Sequence, residues 1–273
     1  MVSFPNAKIN IGLQIVNKRE DGFHNLQTIF YPIDLKDIIE IIPLTDSLSN
    51  ELQFSQSGLE IDGIHQENLC IKAYQLLKLD YPSLPNIKFH IHKNIPIGAG
   101  LGGGSSDAAS MLQLINEKFE LNISAKQLIA YSLQLGSDCP FFIINKPCFA
   151  SGRGELLEEI SIDLSMYKIL IVNPGIHINT GKAFKEVTIS ANHAPLKEII
   201  QLPVEEWKGI IKNDFEEYVF NNYPSIKEIK SNLYLAGASF SLMSGSGSTV
   251  YGIFKKEIHP ELLFPEGYFH KWL

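Results

Sequence analysis

The sequence is short of the features that indicate a disulfide scaffold, a membrane span or a nucleic-acid binder. It has three cysteines, an odd number with no C-x-x-C pair, which argues against a disulfide framework or a zinc knuckle. No uninterrupted apolar run approaches the ~20 residues that cross a bilayer. The chain has 23 Lys and Arg against 30 Asp and Glu, without a basic run, so we expect no nucleic-acid partner. No charged segment followed by an apolar one opens the sequence, so we expect a cytoplasmic protein without a membrane partner.

The overall composition is that of a folded globular protein, with 45% hydrophobic and 19% charged residues. A length of 273 residues exceeds the usual ~100–200 residues of one domain. The sequence changes character after Arg153, and we place a boundary near Gly154–Asp163, giving domains 1–157 and 158–273. Strands occur in blocks and helices are grouped separately, a pattern that favours an α+β fold.

Local patterns predict several elements. Residues Ala7–Leu13 alternate between apolar and polar, which predicts a half-buried strand with Lys8 and Asn10 on one face, about 7 Å apart. Other predictions are a strand at Ile87–Lys93, helices after residue 104 and from Ser124 to Leu135, a short strand at Phe141–Ile144, a helix at Glu205–Lys212 and a hairpin of Ser239–Ser244 with Thr249–Phe254.

The run Pro96–Asp107, PIGAGLGGGSSD, holds five glycines and two serines between a predicted strand and a predicted helix. Glycine lets the backbone approach an anion closely, and the first N–H groups of a helix can bind phosphate. The alternative is a flexible turn. Because such turns seldom lie between a strong strand and a strong helix, we predict a phosphate-binding loop.

Known phosphate motifs fit this loop poorly. A Walker A loop needs Lys where Gly104 stands. The dinucleotide fingerprint G-x-G-x-x-G matches Gly98, Gly100 and Gly103, but it requires a βαβ unit, whereas two helices are predicted here. A protein-kinase loop needs V-A-I-K and H-R-D segments, which are missing.

The loop instead resembles the P-x-x-x-G-L-G-[GS]-S-S loop of the GHMP kinases. Two further segments are similar to that family: Ala7–Asn10, AKIN, and Met243–Ser248, MSGSGS. Within it, REDGFH at Arg19–His24 and GSDCP at Gly136–Pro140 resemble the members whose alcohol substrate carries a cytidine diphosphate. The resemblance implies a two-domain α+β fold, an active site in the interdomain cleft, and a kinase of isoprenoid biosynthesis that uses ATP with Mg²⁺.

The resemblance implies Lys8 and Asp138 as catalytic residues. Asp138 would orient the substrate hydroxyl and accept its proton, and Lys8 would stabilise charge on the transferred phosphoryl group. From the residues alone, Lys8 could be a solvated edge charge and Asp138 a turn or cap residue. Magnesium would bridge phosphate oxygens, with Ser106 as its protein ligand. The ATP-binding residues implied are Pro96, Gly98, Gly100, Leu101, Gly102, Gly103, Gly104, Ser105, Ser106, Asn68 and Lys93.

The cytidine end of the substrate is implied to contact Phe23 and His24, with Phe184 on the opposite face. Each has a plainer interpretation, since His24 could be structural and Phe184 a core residue. The plainer alternative for Asn68 is a helix cap, and for Gly245 it is a tight hairpin turn. The substrate residues implied are Asn10, Phe23, His24, Thr180, Phe184 and Gly245.

Three other functions stay open from the sequence. The chain could be a GHMP kinase for homoserine, mevalonate or a sugar, an NAD(P)-binding oxidoreductase, or a catalytically silent nucleotide-binding module. Retention of Lys8 and Asp138 argues against the last. We expect a monomer or weak homodimer.

Overall fold

The computed structural model describes residues 1–44, 52–60, 67–189 and 193–273. The chain divides into two compact units, one made of residues 1–7, 34–97 and 102–145, the other of residues 8–33, 98–101 and 146–273. We call them unit one and unit two. Neither unit is a continuous stretch of chain. The predicted domain boundary after residue 157 stays a prediction.

In its described residues, unit one has a four-stranded sheet and four helices. The sheet order is β1-β4-β6-β5, in which only β5 runs parallel to its neighbour β6. The elements are β1 Val2–Ser3, β4 Ile38–Pro43, β5 Gln53–Gly58, α1 Leu69–Asp80, β6 Ile87–Lys93, α2 Gly103–Lys118, α3 Ala125–Leu135 and α4 Cys139–Ile144. One face of the sheet packs with the helices in an apolar core that includes Ile39, Phe89 and Met111.

Unit two contains two four-stranded sheets, ordered β2-β3-β7-β8 and β10-β11-β9-β12. Their strands are β2 Asn6–Lys18, β3 His24–Lys36, β7 Cys148–Ser151, β8 Leu156–Glu159, β9 Tyr167–Asn173, β10 Phe240–Met243, β11 Val250–Lys255 and β12 Phe269–Trp272. The helices are α5 Thr180–Glu186, α6 Leu196–Ile199, α7 Phe215–Asn222 and α8 Pro224–Leu235. Leu13, Val172 and Phe215 are among the residues of its apolar core.

The α+β class is confirmed, and so are most predicted elements. The helix after the glycine loop and the β10–β11 hairpin are present. The side chain of Ser124 caps α3, and Gln127 returns the hydrogen bond in a capping box. In the described parts of the chain, no helix has the length and apolar character needed to cross a membrane.

Three predictions are wrong. Phe141–Ile144 is helical, since Pro140 lies in the first turn of α4 and fits the start of a helix. Of the predicted helix Glu205–Lys212, only the first two residues are helical, within the 3₁₀ turn Val204–Glu206. Gly209 at φ +82° has a left-handed backbone that a right-handed helix cannot include. Strand β2 is buried on both faces from Ala7 to Ile15, not on one.

Candidate active site

The ammonium of Lys8 is buried and is held by two oxygen acceptors in unit two. Lys8 and Asn10 share a face of β2 and are 3% and 2% exposed. Lys8 Nζ donates to Asn10 Oδ1 at 2.5 Å and to the Gly100 carbonyl at 3.1 Å. The Phe30 ring centroid lies 4.9 Å from Nζ, a distance suited to a cation–π contact. Lys8 is therefore not a solvated edge charge, because a buried ammonium needs such partners.

Asn10 is fixed on every polar atom of its backbone and side chain. Its Nδ2 donates to Thr28 Oγ1 at 2.8 Å, and its backbone N–H donates to Ser244 Oγ at 3.1 Å. The Tyr251 hydroxyl donates to the Asn10 carbonyl at 3.0 Å. These contacts leave Oδ1 directed at Lys8.

The first half of the glycine loop packs against the C-terminal glycine turn. Gly100 has φ +78°, and a Cβ there would collide with the Ser244 carbonyl oxygen. Ser244 Oγ donates to the Gly100 carbonyl at 2.8 Å, while Lys8 N–H donates to the Leu101 carbonyl at 3.0 Å. Gly98, at φ +62°, is exposed. Only glycine permits this close approach of two backbones.

The second half of the loop opens helix α2 in unit one. Gly102 at φ +71° is the N-cap, and no side chain caps the helix or places an acidic group in its first turn. Gly104 is exposed and Ser105 is half-buried, and a Cβ on Gly104 would meet nothing within 4 Å. The first N–H groups of a helix lack intrahelical acceptors, so this start is suited to an anion.

The remaining members of the loop are less accessible. Pro96 is buried, and Ser106 is 2% exposed with its N–H donating to the Gly102 carbonyl at 2.9 Å. Gly103 is buried against Ile95 and Lys93. The Ser105 side chain is hydrogen-bonded to the Cys139 thiol, and burial raises the pKa of that thiol to about 12. Ser105 and Gly104 are thus the more accessible groups at this helix start.

Lys93 forms a buried ionic cluster with two carboxylates of unit one. Its Nζ contacts Asp37 Oδ2, and Asp107 Oδ2 lies 2.7 Å from Nζ. All three residues are at most 4% exposed. Asp37 Oδ1 accepts the N–H groups of Asn94 at 2.6 Å and Ile95 at 2.9 Å. The cluster therefore holds the entrance of the loop and the start of α2.

Charges in this cluster shift one another's pKa values. Burial would lower the pKa of Lys93, but Asp107 and Asp37 outweigh burial and raise it. Burial raises the pKa of Asp107 to about 7, with the Lys93 charge opposing and the Asp37 charge adding to the rise. Asp107 Oδ1 is buried without a hydrogen-bond partner, which agrees with a carboxyl group that resists ionisation.

Asp138 and Asn68 each lie at the start of a helix. Asp138 is half-buried and directly precedes α4, which its side chain does not cap. Asn68 Oδ1 accepts the Cys70 N–H at 2.9 Å and thereby caps α1. Asn68 therefore caps α1, and its contact with ATP stays a prediction. The side chain of Asp138 does not cap α4, although the residue lies in the turn before that helix.

The segment predicted to read cytidine presents two aromatic rings in unit two. Phe23 is 55% exposed, and its face lies 5.1 Å from the Arg153 guanidinium. His24 stacks on Phe184 with ring centroids 5.1 Å apart and planes 18° apart. Burial lowers the pKa of His24, and Lys18 adds to the effect. Phe184 also meets Phe215 edge-on at 4.8 Å, so it joins the core on one side and His24 on the other.

Thr180 and Gly245 lie near the C-terminal glycine turn. Thr180 Oγ1 is 2.9 Å from Ser246 Oγ. Gly245, at φ +57°, would place a Cβ 3.2 Å from the Gly100 Cα. Asn213 Nδ2 donates to the carbonyls of Met243 at 2.7 Å and Gly245 at 2.8 Å. The buried side chain of Asn213 thus holds the backbone of the glycine turn in place.

Unit two brings Lys8, Asn10, Gly100, Leu101 and Gly245 together as neighbours. Unit one brings Lys93 beside Gly103. Sequence reasoning missed four buried residues that organise these groups, namely Thr28, Asp37, Asn213 and Ser244. Thr28 follows Gln27 in a strand that opens with several polar residues, so the local sequence gave no signal for it.

Comparisons with known proteins show the family to which the chain belongs. The family descriptions "GHMP kinases N terminal domain" and "GHMP kinases C terminal" match residues 68–146 and 196–264. The chain belongs to the GHMP kinase family. A relative from Azobacteroides pseudotrichonymphae, named 4-diphosphocytidyl-2-C-methyl-D-erythritol kinase, is 51% identical over 95% of this chain and 96% of its own length. One of the same name from Bacteroides fragilis is 49% identical over 94% of this chain and 93% of its own length.

Solved structures give the same result for the fold. The crystal structure titled 4-(cytidine 5'-diphospho)-2C-methyl-D-erythritol kinase has a TM-score of 0.79 at 30% identity, covering 93% of this chain and 90% of that one. A mevalonate kinase from Methanococcus jannaschii has a TM-score of 0.69 at 15% identity, covering 94% and 92%. This second likeness concerns the fold alone.

Proposed function

We infer that the protein is an ATP-dependent kinase that phosphorylates the 2-hydroxyl of 4-diphosphocytidyl-2-C-methyl-D-erythritol. Relatives of that name share about half of its residues over nearly the full length. The geometric observation that carries the proposal is the buried Lys8 ammonium at the Gly100 carbonyl. A cation fixed against a glycine loop is the arrangement that phosphoryl transfer requires, since its catalysis is mostly positioning and charge stabilisation.

The triphosphate of ATP binds the glycine loop in this proposal. The uncapped start of α2 offers N–H groups to phosphate oxygens, and Gly104 leaves space for them. The loop backbone before α2 also contacts the phosphates in this proposal, through Gly98, Gly100, Leu101 and Gly102. Hydroxyl groups come from Ser105 and Ser106. Pro96 and Gly103 shape the loop from its buried side.

Lys8 and Asp138 carry the chemistry in this proposal. Asp138 orients the 2-hydroxyl and accepts its proton as the oxygen attacks the γ-phosphorus, and ADP leaves. Lys8 stabilises the negative charge on the transferred group. A loose transition state lets the proton depart late, so a strongly basic carboxylate is unnecessary.

Magnesium, when bound, supplies positive charge to the phosphate oxygens. Across the described ranges, no group of three or more His, Cys, Asp or Glu residues could hold a metal ion. The nucleotide itself would therefore provide most of the ligands. Ser106, which lies in the first turn of α2 and is 2% exposed, is the proposed protein ligand.

The cytidine diphosphate end contacts unit two in this proposal. The exposed Phe23 stacks on the pyrimidine and His24 hydrogen-bonds its edge. Phe184 as the cover of the opposite side stays a prediction, since its ring stacks on His24 and contacts Phe215. Asn10, Thr180 and Gly245 complete the substrate contacts. On the adenine side Asn68 and Lys93 stay predictions, with the Lys93 ammonium already paired to two carboxylates. A cytoplasmic monomer or weak homodimer also stays a prediction.

The deciding experiment is ADP release from ATP–Mg²⁺ with a panel of alcohols. We expect kcat/KM for 4-diphosphocytidyl-2-C-methyl-D-erythritol to exceed that for homoserine, mevalonate and galactose by at least about 100-fold, the scale of a few fixed polar contacts. A preference for another alcohol would identify a different GHMP kinase, and no release with any alcohol would identify a silent module. Binding of NAD(P) in place of ATP would indicate an oxidoreductase.

A further inference from the structure

Thr28 is a buried polar residue that no motif singled out. It lies on β3, is fully buried, and faces Ala150 across the β3–β7 pair. Its hydroxyl contacts two groups of the neighbouring strand β2: the Gly12 carbonyl at 2.5 Å and Asn10 Nδ2 at 2.8 Å. A buried hydroxyl needs hydrogen-bond partners, and here both come from the strand that carries Lys8.

The proton count of this hydroxyl fixes the direction of each hydrogen bond. A threonine hydroxyl has one proton to donate, and the Gly12 carbonyl can only accept. Thr28 Oγ1 must therefore accept from Asn10 Nδ2. The amide of Asn10 is then oriented, with Oδ1 towards Lys8 Nζ at 2.5 Å.

The opposite amide orientation would disfavour the Lys8 ammonium. A flipped Asn10 would point two N–H groups at a cation that is 3% exposed, in surroundings where water cannot screen the repulsion. The backbone of Asn10 is held by Ser244 and Tyr251, so the side-chain amide is the part left for Thr28 to fix. The hydroxyl of Thr28 thus determines which atom Lys8 meets.

We propose that Thr28 is a positioning residue for phosphoryl transfer, which orients the Asn10 amide and through it holds the Lys8 ammonium in place. The proposal rests on the proposed function of Lys8. Thr28 itself contacts neither ATP nor the alcohol.

The test compares Thr28→Val, which keeps the shape but removes the hydroxyl, with Thr28→Ser, which keeps the hydroxyl. We expect Thr28→Val to lower kcat by about 10- to 100-fold, the loss typical of one orienting hydrogen bond in a dry site. KM for ATP and for the alcohol should change by less than about threefold. Thr28→Ser should retain kcat within about threefold.

Two controls separate positioning from folding. Ser132→Ala removes another fully buried hydroxyl, which donates to the Ile129 carbonyl in α3, and it should lower Tm without lowering kcat. In an Asn10→Ala background, Thr28→Val should have no further effect on kcat, because the group through which it acts is gone. If Thr28→Val does not fold, Thr28→Ala assayed at low temperature serves in its place.

Three results would overturn the proposal: normal kcat in Thr28→Val, an equal loss in Thr28→Ser, or multiplied losses in the double variant with Asn10→Ala. The variant Lys8→Ala separates the proposed role of Lys8 from that of Thr28. Normal kcat in Lys8→Ala overturns the role of Lys8 and of Thr28 together. Normal kcat in Thr28→Val beside an inactive Lys8→Ala overturns the role of Thr28 alone.

Discussion

At the scale of single residues, the proposed chemistry depends on a cation kept almost dry. The Lys8 ammonium is 3% exposed and is surrounded by the Asn10 amide oxygen, the Gly100 carbonyl and the Phe30 ring. Each of these carries partial negative charge towards Nζ. A fixed charge of this kind acts strongly on a transferring phosphoryl group, because little water competes with it.

Replacing Lys8 or Asp138 by alanine should therefore lower kcat far more than it raises KM. We expect kcat to fall at least about 100-fold, with KM within about threefold, since each group acts mainly in the transition state. Steady-state ADP release measures both constants. Lys146→Ala is the matched control, because Lys146 is an exposed lysine paired with Glu159, and it should leave both constants unchanged. Near-normal kcat in either alanine variant would refute the role assignment.

The buried carboxyl of Asp107 makes stability depend on pH. Its pKa is about 7 in the folded protein against an ordinary value of 3.8. Between about pH 4 and pH 7 the folded state keeps this proton while the unfolded chain loses it. The contribution of Asp107 to the free energy of unfolding therefore falls as pH rises through that window. Above it, both states are ionised and the contribution is constant.

The variant Asp107→Asn cannot ionise and should lack this dependence. The charged and titratable groups around Asp107 are Lys93, Asp37 and the Cys70 thiol, and they stay in the variant. We expect the Tm of Asp107→Asn minus that of the parent protein to increase between about pH 5 and pH 8. Thermal unfolding at a series of pH values measures the difference. A constant difference across that range would contradict the raised pKa.

The hydrogen-bond and ion-pair partners of the site residues are what the sequence predicts least well. Lys8 and Asn10 could be selected from one strand and a resemblance, because both lie within a local motif. Thr28 is 18 residues from Asn10, and Ser244 is 234 residues away. Asp37 is 56 residues from Lys93. Nothing in the local pattern of a chain specifies hydrogen bonds over such separations.

At the scale of elements, helix α2 offers a start suited to phosphate. Adjacent glycines there have different surroundings. A Cβ on Gly103 would meet Ile95 at 2.9 Å, whereas a Cβ on Gly104 would meet nothing within 4 Å. The structure of the protein therefore requires glycine at position 103 but not at position 104. Space for a ligand is the remaining reason for glycine at 104.

Gly104→Ala should keep the fold and weaken ATP binding. Alanine favours a helix over glycine by ~0.5–1 kcal/mol, so Tm should be equal or higher. We expect KM for ATP to rise about tenfold or more, equivalent to ~1.4 kcal/mol, because the methyl group takes space that the phosphates need. Gly103→Ala is the contrasting variant and should lower Tm. An unchanged KM for ATP in Gly104→Ala would argue against a phosphate at this helix start.

Whether a segment is a helix or a strand was predictable where its periodic pattern was long or where capping residues marked its ends. Ser124 and Gly136 bounded α3 correctly, because the capping box is a local signal. Four apolar residues at Phe141–Ile144 cannot distinguish a strand from a buried helix, and the informative residue was Pro140. The alternation of apolar and polar residues in β2 correctly predicted a strand. It could not predict burial of both faces, because that depends on how the strand packs in the folded protein.

At the scale of the whole molecule, each of the two units has an apolar core of its own. The two family descriptions match stretches that begin and end inside the chain, at residues 68–146 and 196–264. The fold class was predictable from the resemblance and the blocks of strands. The composition of the units was not, since residues 1–7 and 34–97 join one unit while the intervening stretch, residues 8–33, belongs to the other.

The most direct test of the kinase assignment is the chemical identity of the product. The purified protein would be incubated with ATP, Mg²⁺ and 4-diphosphocytidyl-2-C-methyl-D-erythritol, and the product examined by ³¹P NMR and mass spectrometry. We expect one new phosphomonoester signal on the 2-oxygen of the erythritol, with the cytidine diphosphate signals intact and one ADP formed per product. Inorganic phosphate as the only new phosphate species beside ADP, or an unchanged cytidine substrate, would contradict the assignment.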